Sequence, residues 1–255
     1  MNLTLDLTKD LQANGFAADF TADSNDPLWA DLSPIFESLR IDPYATCSGR
    51  YRQYSRLVYL PWSGALDWLP EAVVEGAAYS PYDQGSFNKE YADVRYLPSI
   101  DDETKVRVGL RDLLLRDLRS LPDVEAFTIW PVYVGVHLIR LLVKPGEKEA
   151  ITTPNVMHQD GGKDMHTFVH LVKLDNATGG VTTVGDPDCA GLLPDAIDPQ
   201  RIRGTLRLER PGDQYVIDDQ AVSHYASGIT ASDDAKPAVR DIILVGVSPY
   251  VPTFF

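Results

Sequence analysis

The chain has 255 residues, 44% hydrophobic and 24% charged, with a formal net charge of -14. That length and composition suit a folded chain with a substantial core and exclude disorder on a large scale. An acidic balance with no run of Lys and Arg argues against a nucleic-acid partner. No apolar run approaches the roughly 18 residues that span a bilayer, so no membrane partner is expected. The opening residues MNLTLDLTKDLQ lack the basic and apolar regions of a secretory signal, and a cytoplasmic location is expected. Cys47 and Cys189 form no Cys-x-x-Cys pair, so no zinc ribbon is signalled, and nothing favours a disulfide between them.

In chain order, Asp26 and Pro27 suit the N-cap and first residue of a helix through Arg40. Residues 56–60 read as a short strand. A second helix is predicted over residues 102–121, with Val106, Leu110, Leu113, Leu114, Leu118 and Leu121 on one face at spacings of three and four. Beyond residue 125 the chain reads as strands separated by turns. Residues 127–143 are one long strand or two broken at Pro131. Further strands are expected at 156–158, 166–174, 180–184, 204–208, 215–217, 222–225 and 239–247, with Pro211-Gly212-Asp213 as a strong turn. About eight strands without intervening helices predict an α+β chain with a jelly-roll or barrel core rather than a parallel βαβ sheet. A single domain is expected over 1–255. Its mainly helical part, 1–124, covers one face, and its jelly-roll core, 125–255, carries the chemistry.

The segment PNVMHQDGG places His158 and Asp160 two residues apart. In an extended chain alternate residues share a face, so an imidazole and a carboxylate point the same way. His224, in the strand-like AVSHYASGI, is the best third ligand. Two imidazoles and one carboxylate form the facial triad of non-haem Fe(II) oxygenases, which leaves open positions on the metal. The ligand set alone does not exclude zinc. Arg240 opens the last strong strand, VRDIILVGV. A dicarboxylate co-substrate needs a fixed partner for its remote carboxylate, and a guanidinium supplies a planar fork of donors that stays charged in a dry pocket. The alternative is an Arg240 paired with Asp241 or another acid.

The stretches HQDGG (158–162), FVHLVKLDNATGG (168–180), PGDQYVIDD (211–219), SHYASGI (223–229) and VRDIILV (239–245) resemble the bacterial 2-oxoglutarate–Fe(II) dioxygenase family. That family contains L-isoleucine 4-hydroxylase and related free amino-acid hydroxylases. GRYRQYSRL (49–57) resembles that family's Arg- and Tyr-rich block. The resemblance implies a double-stranded β-helix (cupin-like jelly roll) core. It implies Fe(II) held by His158, Asp160 and His224, and 2-oxoglutarate held at its C5 carboxylate by Arg240. It implies decarboxylation of the co-substrate to succinate as a small molecule, expected to be a free L-amino acid, is hydroxylated or sulfoxidised. The segment GGKDMHT is more polar than the family pattern, which bears on the substrate pocket.

Arg50, Tyr51, Arg52, Tyr54 and Arg56 form a basic, aromatic block in an acidic chain. It either pairs with surface acids or clamps a substrate carboxylate, and Arg52 is the residue named for the clamp. His166 and His170 share one face of a strand and are expected to be core or supporting residues rather than ligands. His137 is expected to be buried and hydrogen-bonded, or to face the co-substrate. Asp218 and Asp219 either orient the distal histidine or follow the turn. Two other functions compete: a cupin-like metal enzyme that does not use 2-oxoglutarate, and a protein hydroxylase or metal-binding sensor.

Overall fold

The computed structural model describes residues 4–45, 48–83, 94–122, 125–160 and 165–251. The first part of the chain forms α1 (Thr4–Asn14), β1 (Phe16–Asp19), α2 (Pro27–Leu32), β2 (Arg50–Leu60), β3 (Ala65–Trp68), β4 (Ala72–Val74), β5 (Ala77–Tyr82), β6 (Arg95–Pro98), α3 (Asp102–Lys105) and α4 (Val108–Arg119). Then come α5 (Glu125–Thr128), β7 (Val132–Val143), β8 (His166–Asp175), β9 (Ala177–Gly179), β10 (Val181–Gly185), β11 (Ile202–Arg207), β12 (Gln214–Asp218), β13 (Ser223–Ala226), β14 (Ile229–Ala231) and β15 (Ala238–Pro249).

Seven strands pair in the order β1-β12-β8-β15-β7-β2-β3, and every pairing is antiparallel. A smaller sheet, β11-β10-β13, and the pair β14-β9 make the opposing layer. Side chains alternate along each strand, so each strand of the large sheet serves two interiors. Outward-facing Val132, Val134, Val136 and Leu138 of β7 pack with Ile243, Val245 and Val247 of β15 beneath Leu110, Leu113, Leu114 and Leu118 of α4. Inward-facing Ile139, Val169, Ile217 and Ile242 pack with Val184 and Val222 from the opposing layer. Helices on one face and a second sheet on the other give an α+β double-stranded β-helix.

Local chemistry explains the helices. Asp26 Oδ1 accepts from the Leu28 amide at 2.9 Å and caps α2, as the sequence predicts. The helix runs only to Leu32 and continues as a 3-10 turn over Ser33–Ser38, because Pro34 lacks the amide that would continue the α-helical hydrogen bonds. The helix predicted over 102–121 is two helices. Arg107 is extended at its start of α4 (φ -62, ψ 126), which leaves Val106 76% exposed rather than on the buried face.

Other expectations are corrected. Residues 1–124 are not mainly helical: the described ones contribute six strands, and β2 pairs with β7 along most of its length. The strand expected at 56–60 extends back to Arg50. Residues 125–128 are a helical turn, and the strand begins only after Pro131. The stretch 156–158 forms no strand, only a single bridge between His158 and His224. Cys47, Gly161 and Gly162 lie outside the described residues, while Cys189 is buried. Among the described residues no helix is long and apolar enough to cross a membrane.

Leu110, on the inner face of α4, is fully buried. Leu110→Ala is expected to cost about 2–5 kcal/mol in urea unfolding, whereas Val106→Ala is expected to stay within about 0.5 kcal/mol.

Candidate active site

The three predicted metal ligands meet. His158 and His224 exchange both backbone hydrogen bonds, N–H to O at 2.8 Å in each direction. Directly opposed residues of such a pair project to the same side, and the two rings lie 4.3 Å apart. Asp160, two residues on, turns its carboxylate to the same point. Its Oδ1 lies 3.7 Å from His158 Nε2 and its Oδ2 lies 3.5 Å from His224 Nε2. One ligand atom from each residue falls within 4.8 Å of the others.

Supporting contacts set the rings. His158 Nδ1 donates to the Val156 carbonyl at 2.9 Å. A carbonyl only accepts, so the proton sits on Nδ1 and the Nε2 lone pair is left bare. Burial, then the charge of His224, lowers the His158 pKa to about 4, which keeps the ring neutral. For His224 burial acts downward, but the hydrogen bond and charge of Asp160 win and raise its pKa. Burial likewise opposes ionisation of Asp160, yet His224 and His158 together hold that carboxyl below its usual range. Asp219 sits behind His224, with Oδ1 3.5 Å from Nδ1. It accepts from Thr167 Oγ1 at 2.5 Å and from the Asp160 amide at 3.2 Å. Burial, then the Asp160 charge, pushes its pKa up to about 7. Of the two acids before the distal histidine, Asp219 therefore faces the site. Asp218 instead accepts from the Gln220 and Ala221 amides in the turn. Thr167 was not among the expected site residues, although its parity with Val169 on β8 marks it as inward-facing.

Arg240 lies on the inner face of β15, 2% exposed, and lines the same cavity as His158, Asp160 and His224. Among the described residues its Nε and Nη2 have no hydrogen-bond partner. Burial lowers the pKa of its guanidinium. It does not pair with Asp241, which points to the opposite face and binds Arg140 at 2.7 and 2.8 Å. Gly180 makes the space: a Cβ there would sit 3.0 Å from both Arg240 Cδ and Nε. Arg52 also lines the cavity, 4% exposed, with Arg50 and Arg95 beside it. Arg50 binds Asp42 at 3.3 Å and Thr153, and Asp42 also lies 3.9 Å from Arg52. His166 and His170 face away from the cavity, under the helices. His166 packs against Phe127, and His170 Nε2 hydrogen-bonds Asp117 at 2.9 Å.

A family model described as 2OG-Fe dioxygenase matches residues 33–246. The chain belongs to the 2OG-Fe dioxygenase family. The protein is therefore an oxygenase that depends on Fe(II) and 2-oxoglutarate, which sets aside both a cupin-like enzyme without 2-oxoglutarate and a non-catalytic sensor. Among solved structures, IDO from Bacillus thuringiensis is 18% identical, with a TM-score of 0.72 over 97% of this chain and 100% of that one. A bsmA homolog from Methylobium petroleophilum PM1 is 20% identical, with a TM-score of 0.76 over 98% of this chain and 96% of that one. The Fe(II)/(alpha)ketoglutarate-dependent dioxygenase TqaL is 15% identical, with a TM-score of 0.72 over 98% of this chain and 87% of that one. These likenesses show a shared fold. No curated protein sequence matches the chain.

The residues present in this dioxygenase fit the iron. Two neutral-capable imidazole nitrogens and one carboxylate converge from one side, the donor set that suits non-haem Fe(II). Outer carboxylates that orient metal-binding histidines commonly contribute 10- to 100-fold to affinity. Asp219→Ala is expected to weaken Mn(II) binding by about that factor in calorimetry, with the circular dichroism spectrum unchanged.

Proposed function

We propose that this dioxygenase oxidises a small carboxylate-bearing molecule, a free L-amino acid, by hydroxylation or sulfoxidation, as in the branch containing L-isoleucine 4-hydroxylase. In this reading His158, Asp160 and His224 hold Fe(II), Arg240 holds the C5 carboxylate of 2-oxoglutarate, and Arg52 engages the carboxylate of the substrate. The observation that carries it is the buried Arg240 guanidinium, whose Nε and Nη2 have no hydrogen-bond partner among the described residues, in the cavity that the three ligands enter. An unpaired buried cation is costly, so its persistence argues for an anionic ligand. Fe(II) with 2-oxoglutarate supplies, when bound, an oxidation coupled to decarboxylation of the keto acid to succinate.

The chain's own residues do the positioning. Arg240, seated beside Gly180, gives the dicarboxylate one anchored end. Ile139, Val169, Ile217, Ile242 and Leu244 line the same cavity and present no polar side-chain atoms, so they exclude water from the reacting region. Arg50 and Arg52, projecting inward from alternate positions of β2, present donors to a second anion. The resemblance in the blocks around residues 158–162, 168–180 and 223–229 supports the amino-acid branch.

The test begins with Fe(II) and 2-oxoglutarate under argon, where a weak visible charge-transfer band is expected. Oxygen is then admitted and succinate assayed against a panel of free L-amino acids. Succinate that rises with one panel member identifies the substrate; no member raising it would sink the amino-acid reading. Arg240→Ala is expected to cost about 2–5 kcal/mol in 2-oxoglutarate affinity, and an unchanged KM for 2-oxoglutarate would remove Arg240 from its role.

A further inference from the structure

His137 projects inward from β7 and lines the cavity, 1% exposed. Arg52 donates to its Nδ1 from both Nε, at 3.2 Å, and Nη2, at 2.7 Å. A guanidinium has no acceptor, so Nδ1 must offer its lone pair. The ring is then neutral and its single proton is on Nε2. The tautomer is fixed by geometry. Burial and the neighbouring charges of Arg52, Arg50 and Arg95 act the same way, lowering the His137 pKa far below its ordinary value.

Two rings hold this imidazole in place. Tyr54 stacks on it at 4.2 Å and 17°, and Tyr82 meets its edge at 4.9 Å and 78°. Arg52 and Arg95 in turn lie over Tyr82, at 5.0 and 4.9 Å. Among the described residues no group accepts from Nε2. The ring lies in the wall of the ligand cavity, and Nε2–H is the one donor it has left to offer there.

We infer that His137 is a specificity-determining residue whose Nε2–H donates to an oxygen of the substrate's carboxylate, beside the guanidinium of Arg52. This rests on the reading of Arg52 as the substrate-carboxylate contact. With Nδ1 already accepting from Arg52, the ring can only donate from Nε2, so this wall selects an oxygen acceptor and rejects an ammonium. The acid end of the substrate therefore lies against β2 and β7, and its ammonium, if it has one, points elsewhere.

The test uses full-length enzyme carrying 15N-histidine, Zn(II) in place of iron and saturating 2-oxoglutarate. Two-bond proton–nitrogen spectra report the tautomer of each histidine, and the His137 signals are assigned by their loss in His137→Phe. The Nε2–H form is expected at pH 7. Sodium acetate, a bare carboxylate probe, is expected to shift the Nε2 resonance saturably, whereas methylammonium chloride leaves it in place. His137→Phe keeps an aromatic ring in the stack. It is expected to retain the charge-transfer band with Fe(II) and 2-oxoglutarate and to bind acetate at least ten-fold more weakly in calorimetry. An Nδ1–H or doubly protonated ring, or an Nε2 signal indifferent to acetate, overturns the inference. The wild-type spectra decide the matter even if the variant does not fold. Loss of the charge-transfer band in wild-type enzyme would instead count against the function proposed above.

Discussion

The site depends on one pair of reciprocal backbone hydrogen bonds. His158 and His224 sit far apart in the chain, yet each amide donates to the other's carbonyl. Once that pair is made, both imidazoles must leave on the same side, and an extended chain carries the Asp160 side chain to that side as well. The convergence of three ligands is thus a consequence of strand register before it is one of side-chain chemistry. A slip of one residue in either segment would turn that segment's ring away from the cavity. The partners that hold Asp219, Thr167 and the Asp160 amide, come from either side of the same junction, so the register and the outer support fail or hold together.

The same two-residue period sorts the buried charges. On the helix side of the large sheet the buried charges Arg140, Asp241 and Asp117 have partners: Arg140 with Asp241 and Glu37, and Asp117 with His170. On the cavity side Arg240 has none for two of its nitrogens. Arg240 and Asp241 are neighbours in sequence and could be taken for an ion pair. In a strand they cannot be one, because consecutive side chains point to opposite faces. The contrast separates charges that stabilise the fold from charges held ready for a ligand.

The legible parts of the sequence were those written locally. His158 and Asp160 stand two apart, and the alternating apolar strands 166–174, 215–217 and 239–247 matched elements of the structure. What was hidden needed pairing information. β2 escaped beyond residues 56–60 because its inward positions are Arg50, Arg52 and Tyr54, which read as a polar surface rather than the inner wall of a barrel. β1 and β3–β6 are short; β1 pairs with the distant β12, while β3–β6 pair with strands next to them in the chain. Pro131 offered two readings of one segment, and tertiary packing of Phe127 under the sheet selected a helical turn. His137 looked like one polar residue in an apolar run. Its role emerges only when β2 pairs with β7 and sets Tyr54 directly opposite it.

A chain with a formal charge of -14 is an unlikely receptacle for two anions, and the resolution lies in distance and dielectric. Surface acids act through water, where salt screens them beyond a Debye length of about 8 Å. Arg240, Arg52, Arg50 and Arg95 are each at most 6% exposed, so their fields act across protein rather than solvent and are weakened far less. Near the cavity the described acids are already committed: Asp160 to the histidines, Asp219 to Thr167 and the Asp160 amide, Asp42 to Arg50. An anion that crosses the screened exterior therefore meets a concentration of buried positive charge on the inner wall, where Arg240 Nε and Nη2 have no partner among the described residues. The acidic surface governs solubility and the basic interior governs recognition, and the large sheet keeps the two apart by giving each strand one face for each task.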